Sequence, residues 1–262
     1  FVMVRESDDI IPYAVVTVIG TSGGNLFYML GRKNYANISI RVTSGIKRHI
    51  KPIMTMFANT VTTSIYVNSD IIILEMLTSD RIVGLYSAST KIYTIIKNVL
   101  AAVITVSVPR LSSYWERRDI RNYNATCYKV FMVFLLMGAP AMVGLASLSR
   151  YVILLVSSSK YAEATGSLQI LSIALLFSIF AWFYKSCVLI PTGNEEKILK
   201  ATVIASVVNI VLNFILIPAW GQNAAALTTL LAELICLGVA YHYGKKYCGF
   251  KVKVRDCISV VI

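Results

Sequence analysis

The chain has 262 residues, 56% of them hydrophobic and only 15% charged, with 25 Lys/Arg, 13 Asp/Glu and a formal net charge of +12. A soluble fold has nowhere to put that much apolar surface, and basic residues split among short loops make no continuous groove for nucleic acid. Five cysteines without a CxxC spacing and two histidines, His49 and His242, exclude a Cys-pair zinc motif and a His-rich metal site.

A helix needs about 20 mostly apolar residues to cross a hydrocarbon core of roughly 30 Å. Seven stretches reach that length: 10–30, 52–76, 82–109, 127–149, 166–190, 198–218 and 222–243. The expected fold class is therefore all-α, a polytopic membrane protein. The connections alternate in charge. Those after the first, third, fifth and seventh stretches hold 17 Lys/Arg, whereas the other side holds only Arg5, Arg81, Arg150 and Lys160. The positive-inside rule then puts the start of the chain outside and its end in the cytoplasm.

In chain order, the first stretch carries Gly20 and Gly24 four residues apart, a spacing that lets helices approach closely. The basic connector 31–51 is the natural boundary between two lobes, with 1–30 as the last helix of one and 52–243 as a second, six-helix lobe. Residues 244–262 form a basic segment whose last six, CISVVI, open a further apolar stretch. The chain starts in mid-loop at Phe1 and reads as part of a longer protein. Three short outer links, 77–81, 150–165 and 219–221, force antiparallel neighbours. In the middle link, apolar 151–156 followed by SSSKY at 157–161 suggests a small interfacial helix.

Polar residues recur inside the stretches at helical spacing. The second carries Thr55, Asn59, Thr62, Thr63, Tyr66 and Asp70. The third has one row of Tyr86, Thr90, Tyr93 and Lys97 and an adjacent row of Lys91, Thr94, Asn98 and Thr105. Both rows are expected on one side, opposite Ile92, Ile95, Ile96, Val99, Val103 and Val106. The sixth lines up Thr202, Ser206, Asn209 and Asn213, and the seventh has Thr229 and Glu233. Such stripes face partner helices or a hydrated cavity.

Charges at depth cost about 2.5–3.5 kcal/mol each on insertion scales. Asp70 and Lys91 lie at similar depths on neighbouring helices, so a structural ion pair competes with a functional role. Lys97 is nearly mid-membrane with only hydroxyls and amides expected opposite, which reads as an unpaired cation in an aqueous cavity. Glu233 has three readings: a partner for a cation on the part of the protein missing from this chain, a proton site, or a neutral hydrogen-bonding group. Lys185, near the cytoplasmic end of its span, is explained by snorkelling.

The strings VGLYSASTKI (83–92), VPRLS (108–112) and NIVLNFILIPAWGQNAAALTTLLAE (209–233) resemble the polysaccharide transporter family. That family includes the oligosaccharide (O-antigen type) flippases of the multidrug/oligosaccharidyl-lipid/polysaccharide exporter superfamily. One departure is SSSKY, where relatives commonly carry a Gly before Lys-Tyr. The resemblance implies two six-helix lobes around a cavity and alternating access in the bacterial inner membrane. The implied cargo is an undecaprenyl-pyrophosphate-linked oligosaccharide for surface polysaccharide, with a polysaccharide polymerase and a chain-length regulator as further partners. No enzyme activity, cofactor or nucleic-acid partner is expected.

On that reading Lys97, Lys91, Tyr93, Thr90 and Asn59 contact the cargo head, Arg110 and Lys185 gather its diphosphate at the cytoplasmic mouth, and Asp70 and Glu233 couple transport to a proton or sodium gradient. The rival is a cation-coupled drug or metabolite exporter of the same superfamily. Either transporter needs the polar flanks turned toward a shared, hydrated vestibule and not into a dry, fully paired seam.

Overall fold

The computed structural model describes residues 46–249, together with Val15, Val18, Ile19, Ser22 and Gly23. The expected first span, most of the connector and the segment beyond Gly249 lie outside the described residues. The chain divides into two compact units, 1–48 and 49–262, and the architecture below is that of the second. Among the described residues every regular element is helical.

Five long helices build the unit. These are α1 (Ile46–Leu77), α2 (Asp80–Glu116), α3 (Ile120–Val156), α4 (Thr165–Phe183) and α5 (Glu195–Gly244). A 3-10 helix, Ser159–Ala164, leads into α4, and a π-helical turn, Tyr184–Leu189, continues it. The π turn occupies the place where the apolar run 166–190 was expected to end. Among the described residues, four helical units are long and apolar enough to cross a membrane: α2, α3, the segment Ser159–Leu189 around α4, and α5 extended to Tyr247. The polar stripe of α1 keeps it out of that set despite its 32 residues.

α5 is two arms folded back on each other. Gly221 adopts φ 53° and ψ −130°, a region essentially restricted to glycine. Pro218 three residues earlier limits the first arm. Side chains 15 and 19 residues apart then meet across the hairpin, Thr228 bonding to both Asn213 and Asn209. The expected link at 219–221 is therefore a turn at Gly221. At 151–161 the structure differs: 151–156 extends α3, and SSSKY breaks it at Ser157 before the 3-10 turn.

The two ends of the bundle separate the charges. At one end Trp115 of α2 stacks near Tyr123 of α3 and Tyr247 after α5, with ring centroids 5.1 and 5.8 Å away. Tyr247 also donates to Asn194 in the α4–α5 loop at 3.2 Å. Arg117, Arg118, Arg121, Lys197, Lys245 and Lys246 belong to this end. Here Asp119 caps α3, and the side-chain amide of Asn122 (2.7 Å) and then its backbone N–H (3.2 Å) hold the carboxyl below its ordinary value. At the opposite end an exposed Arg81–Glu163 pair at 2.9 Å ties the start of α2 to the 3-10 turn.

The packing is inside-out relative to a soluble protein. α1 exposes Ile53, Met54, Phe57, Ile65, Val67, Ile72 and Met76 while Ser69 and Asp70 are buried. α4 is the axis, with Leu168, Leu171, Ala174, Leu175 and Phe183 fully buried against α2, α3 and α5. Its neighbours approach closely because the contact residues are small: Ala201, Ala205, Ala224, Ala225, Ala226 and Ala232 of α5 are at most 1% exposed. With lipid as apolar as the side chains, such close van der Waals contact takes the place of the hydrophobic effect.

Gly221→Ala should lower stability by about 1–3 kcal/mol through backbone strain alone, since a Cβ there meets only Ile82 at an ordinary 3.5 Å. Thermal unfolding of the purified protein in detergent checks this, with Gly193→Ala, at φ 70° in an open loop, as the milder comparison.

Candidate functional site

The polar stripes of α1 and the first arm of α5 face each other and form a hydrogen-bonded seam, against the expectation that they turn toward a hydrated vestibule. Of the expected stripes, only the row Lys91, Thr94, Asn98 and Thr105 of α2 stays exposed. From one end upward, Thr202 donates to Asn59 at 3.4 Å and Ser69 donates to Asn209 at 3.2 Å. The seam culminates at Asp70, which is 5% exposed. Asn213 donates to its Oδ1 at 2.6 Å, while Tyr86 and Thr229 donate to Oδ2 at 2.7 and 2.6 Å. Three helices thus converge on one carboxylate: α1, which carries it, α2 and both arms of α5. Asn213 also donates to Asn209, and its own oxygen accepts from Thr228. The donor set is oxygen-rich and free of sulfur and imidazole. Among the described residues no group of three or more His, Cys, Asp or Glu side chains is arranged for a metal.

This geometry corrects two expectations. Asp70 forms no pair with Lys91, because hydroxyl and amide donors fill its oxygens. At about 100° per residue, Lys91 stands roughly 140° around α2 from Tyr86, on the exposed face. The two rows of α2 do not share one environment either. Tyr86 and Tyr93 are buried and Thr90 and Lys97 half-buried, whereas Lys91, Thr94, Asn98 and Thr105 are exposed. The rows lie about 100° apart, so only one packs against α5. Ile92 of the apolar side is buried against α3 and α4, while Ile95, Val99 and Val106 are exposed.

The second centre lies one turn along the return arm of α5. Lys97 Nζ is 2.9 Å from Glu233 Oε1 and 3.3 Å from the Tyr93 hydroxyl. The rings of Tyr93 and Trp182 lie 5.3 and 5.9 Å from the ammonium. Lys97 is therefore paired and not free, and the cation beside Glu233 comes from α2 and not from a missing part of the protein. The pair sits at the rim of the seam, its side chains 24% and 6% exposed.

The remaining predicted site residues are dispersed. Thr90 returns its hydroxyl to the backbone of Tyr86 and Ser87. Asn59 lies low in the seam. Arg110 is exposed at the basic end of α2, and Lys185 is half-buried in the π turn. Thr228 and Trp182 were missed. The signal for Thr228 was its place beside Thr229, across a short turn from two asparagines spaced i, i+4.

A family model described as Polysaccharide biosynthesis protein matches residues 25–166. The chain is 21% identical over 239 residues to a Shigella dysenteriae protein named "Putative O-antigen transporter", covering 90% of this chain and 59% of the relative. Two solved structures share the fold. The lipid II flippase MurJ in an inward closed conformation gives a TM-score of 0.72 at 20% identity, over 97% of this chain and 54% of that one. An outward-facing multidrug resistance MATE family transporter gives 0.66 at 18% identity, over 85% and 53%. The chain thus spans little more than half the length of these proteins.

Removing Lys97 alone strands a buried carboxylate, whereas removing both charges leaves none. Lys97→Met should lower the stability by up to about 3–5 kcal/mol, the cost of breaking a buried pair, and the unfolding midpoint with it. The double variant Lys97→Met/Glu233→Leu should recover most of that loss, as read by thermal melts of the purified protein.

Proposed function

The chain belongs to the polysaccharide biosynthesis protein family, and we propose that it forms the second lobe of a flippase. The cargo on this reading is a polyprenyl-diphosphate-linked oligosaccharide, carried from the cytoplasmic to the outer leaflet of a bacterial inner membrane by alternating access. Residues 52–243 would be the lobe, 31–51 its cytoplasmic connector and 1–30 the last helix of the first lobe. The basic end would face the cytoplasm. A polymerase and a chain-length regulator would act on what it delivers.

The observation that carries this reading is the exposed polar row of α2. Lys91, Thr94, Asn98 and Thr105 run along a membrane-length helix beside the rim of the Lys97–Glu233 pair. Against acyl chains a lysine and an asparagine at that depth are costly. Against a hydrated vestibule shared with another lobe they supply a cationic, hydrogen-bonding wall suited to a diphosphate-sugar head. The diphosphate calls for cations, the sugar for hydroxyls and amides, and the polyprenyl tail stays in lipid. In cells dependent on the full-length protein, Lys91→Glu and Lys97→Met/Glu233→Leu should each cut surface polysaccharide at least tenfold at unchanged protein level. Normal export in both would remove this face of α2 from the cargo path.

Coupling is assigned to Asp70 on the same reading, with Glu233 as the second acid. Oxygens of Asp70, Asn209, Asn213, Thr228 and Thr229 gather in one buried cluster, a hard-oxygen set suited to a proton or a small monovalent cation. Asp70→Asn keeps the shape and most of the hydrogen bonds but not the charge. Export by that variant should fall sharply, and export by the unaltered protein should stop when the ion gradients are collapsed. Export indifferent to both would leave Asp70 a purely structural residue.

A further inference from the structure

A groove of about 380 Å³ opens between α3, α4 and the return arm of α5, and its lining is almost wholly apolar. That volume falls within the roughly 300–1,000 Å³ of ligand clefts. Four rings line it. Phe131 of α3 and Phe180 of α4 lie with centroids 4.8 Å apart, and Tyr184 and Tyr241 meet edge to face at 5.4 Å. The Tyr184 ring is seated on Gly244, where a Cβ would come within 2.9 Å of it. The rings are thus packed on protein before any ligand arrives. The rest of the lining follows one face of the return arm, where Leu234, Leu237 and Gly238 lead to Tyr241 at i, i+3, i+4 and i+7. Gly238 is exposed, and a Cβ there would meet nothing within 4 Å. A glycine inside a helix costs about 0.5–1 kcal/mol relative to alanine, and no neighbour among the described residues requires this one. What it preserves is open space in the groove.

The groove lies apart from the face proposed for the cargo. Trp182 stands about 160° around α4 from Phe180. Trp182 is the ring that approaches Lys97 of α2, while Phe180 stacks on α3. A tail tethered to a head on the exposed row of α2 would have to pass α4 to reach it. The groove instead follows the return arm from Leu234 to Tyr241, about 10 Å of helix, and runs toward the basic end. Exposed Lys245 falls one turn beyond Tyr241 on the same face, with exposed His242 and Lys246 beside it. Each Lys or Arg near a membrane surface adds about 1 kcal/mol of attraction to anionic lipid. We propose that the groove holds one acyl chain of an anionic phospholipid whose phosphate lies at Lys245. An apolar channel under a cation matches the two parts of that molecule. The inference goes beyond the flippase reading and holds whatever the cargo.

Lipid titration of the purified full-length protein in detergent tests it. Phosphatidylglycerol should raise the melting temperature by about 5 °C or more near saturation, and zwitterionic phosphatidylcholine by less than half as much. Gly238→Phe places a ring in the open space and should abolish the rise, with the lipid-free protein melting as before. Lys245→Glu leaves the groove intact and should reduce the phosphatidylglycerol effect to that of phosphatidylcholine. Native mass spectrometry reads occupancy directly: the unaltered protein should retain a phosphatidylglycerol that Gly238→Phe loses. A melting temperature indifferent to phosphatidylglycerol, as when another helix of the full-length protein covers the groove, overturns the proposal. So does a rise that survives either substitution. Displacement of the retained lipid by a polyprenyl diphosphate also overturns it, because the groove then belongs to the cargo tail. None of these readouts involves transport, so a failure here and a failure of the flippase reading are separable.

Discussion

The structure depends on a carboxylate buried among the helices, with Asp70 only 5% exposed. Asp70 takes its hydrogen bonds from Tyr86, Asn213 and Thr229, and these three donors belong to α2 and to the two arms of α5. In a soluble protein such a group would be one polar exception within an apolar core. Here helix association has no hydrophobic drive of its own, since lipid solvates apolar faces as well as protein does. The polar stripes are therefore the selective contacts. They fix which face of α1 turns inward and how far the hairpin of α5 slides along it, and they leave the large aliphatic side chains facing outward.

Small residues let that arrangement close. The alanines of α5 permit backbone approach to α4, and α4 is enclosed by α2, α3 and α5. The hairpin turn at Gly221 brings Asn209 and Asn213 opposite Thr228, and without that reversal the donors around Asp70 would lie on separate rods. A single backbone conformation open to glycine thus sets the register of the polar cluster.

Much of this was legible in the sequence. The lengths of the apolar runs located α2 to α5, the short link before Gln222 located the hairpin, and the spacing of Asn59, Tyr66 and Asp70 identified the buried face of α1. What the sequence left open was pairing between distant residues. Lys97 and Glu233 are 136 positions apart, and helical spacing on each helix says which side a residue occupies but not which helix stands opposite. The roll of α2 was lost for a related reason. Its two polar rows span more than a quarter of the circumference, and periodicity alone merges them into one face, although packing divides them into a bonded row and an exposed one. The π turn at 184–189 and the break at Ser157 carry no periodic signature, so the ends of α3 and α4 were placed less well than their middles.

The division of α2 gives the unit its functional character. One helix carries Tyr86 to the Asp70 cluster, Tyr93 and Lys97 to Glu233, and Lys91, Thr94 and Asn98 to the exposed face, so its rotation or translation would disturb all three together. The return arm of α5 has the same property on a smaller scale, with Thr229 on one centre and Glu233 on the other a single turn away. Two rigid rods that each touch both acids cannot satisfy one site in a new position while leaving the other unchanged. A displacement of either rod would disturb Asp70 and Lys97 together, with no need for a wire of contacts. Asp70 stays on α1 while its donors Tyr86 and Thr229 ride with Lys97 and Glu233 on α2 and the return arm of α5, so the hydrogen bonds of the Asp70 cluster set how tightly those two rods are tied to α1.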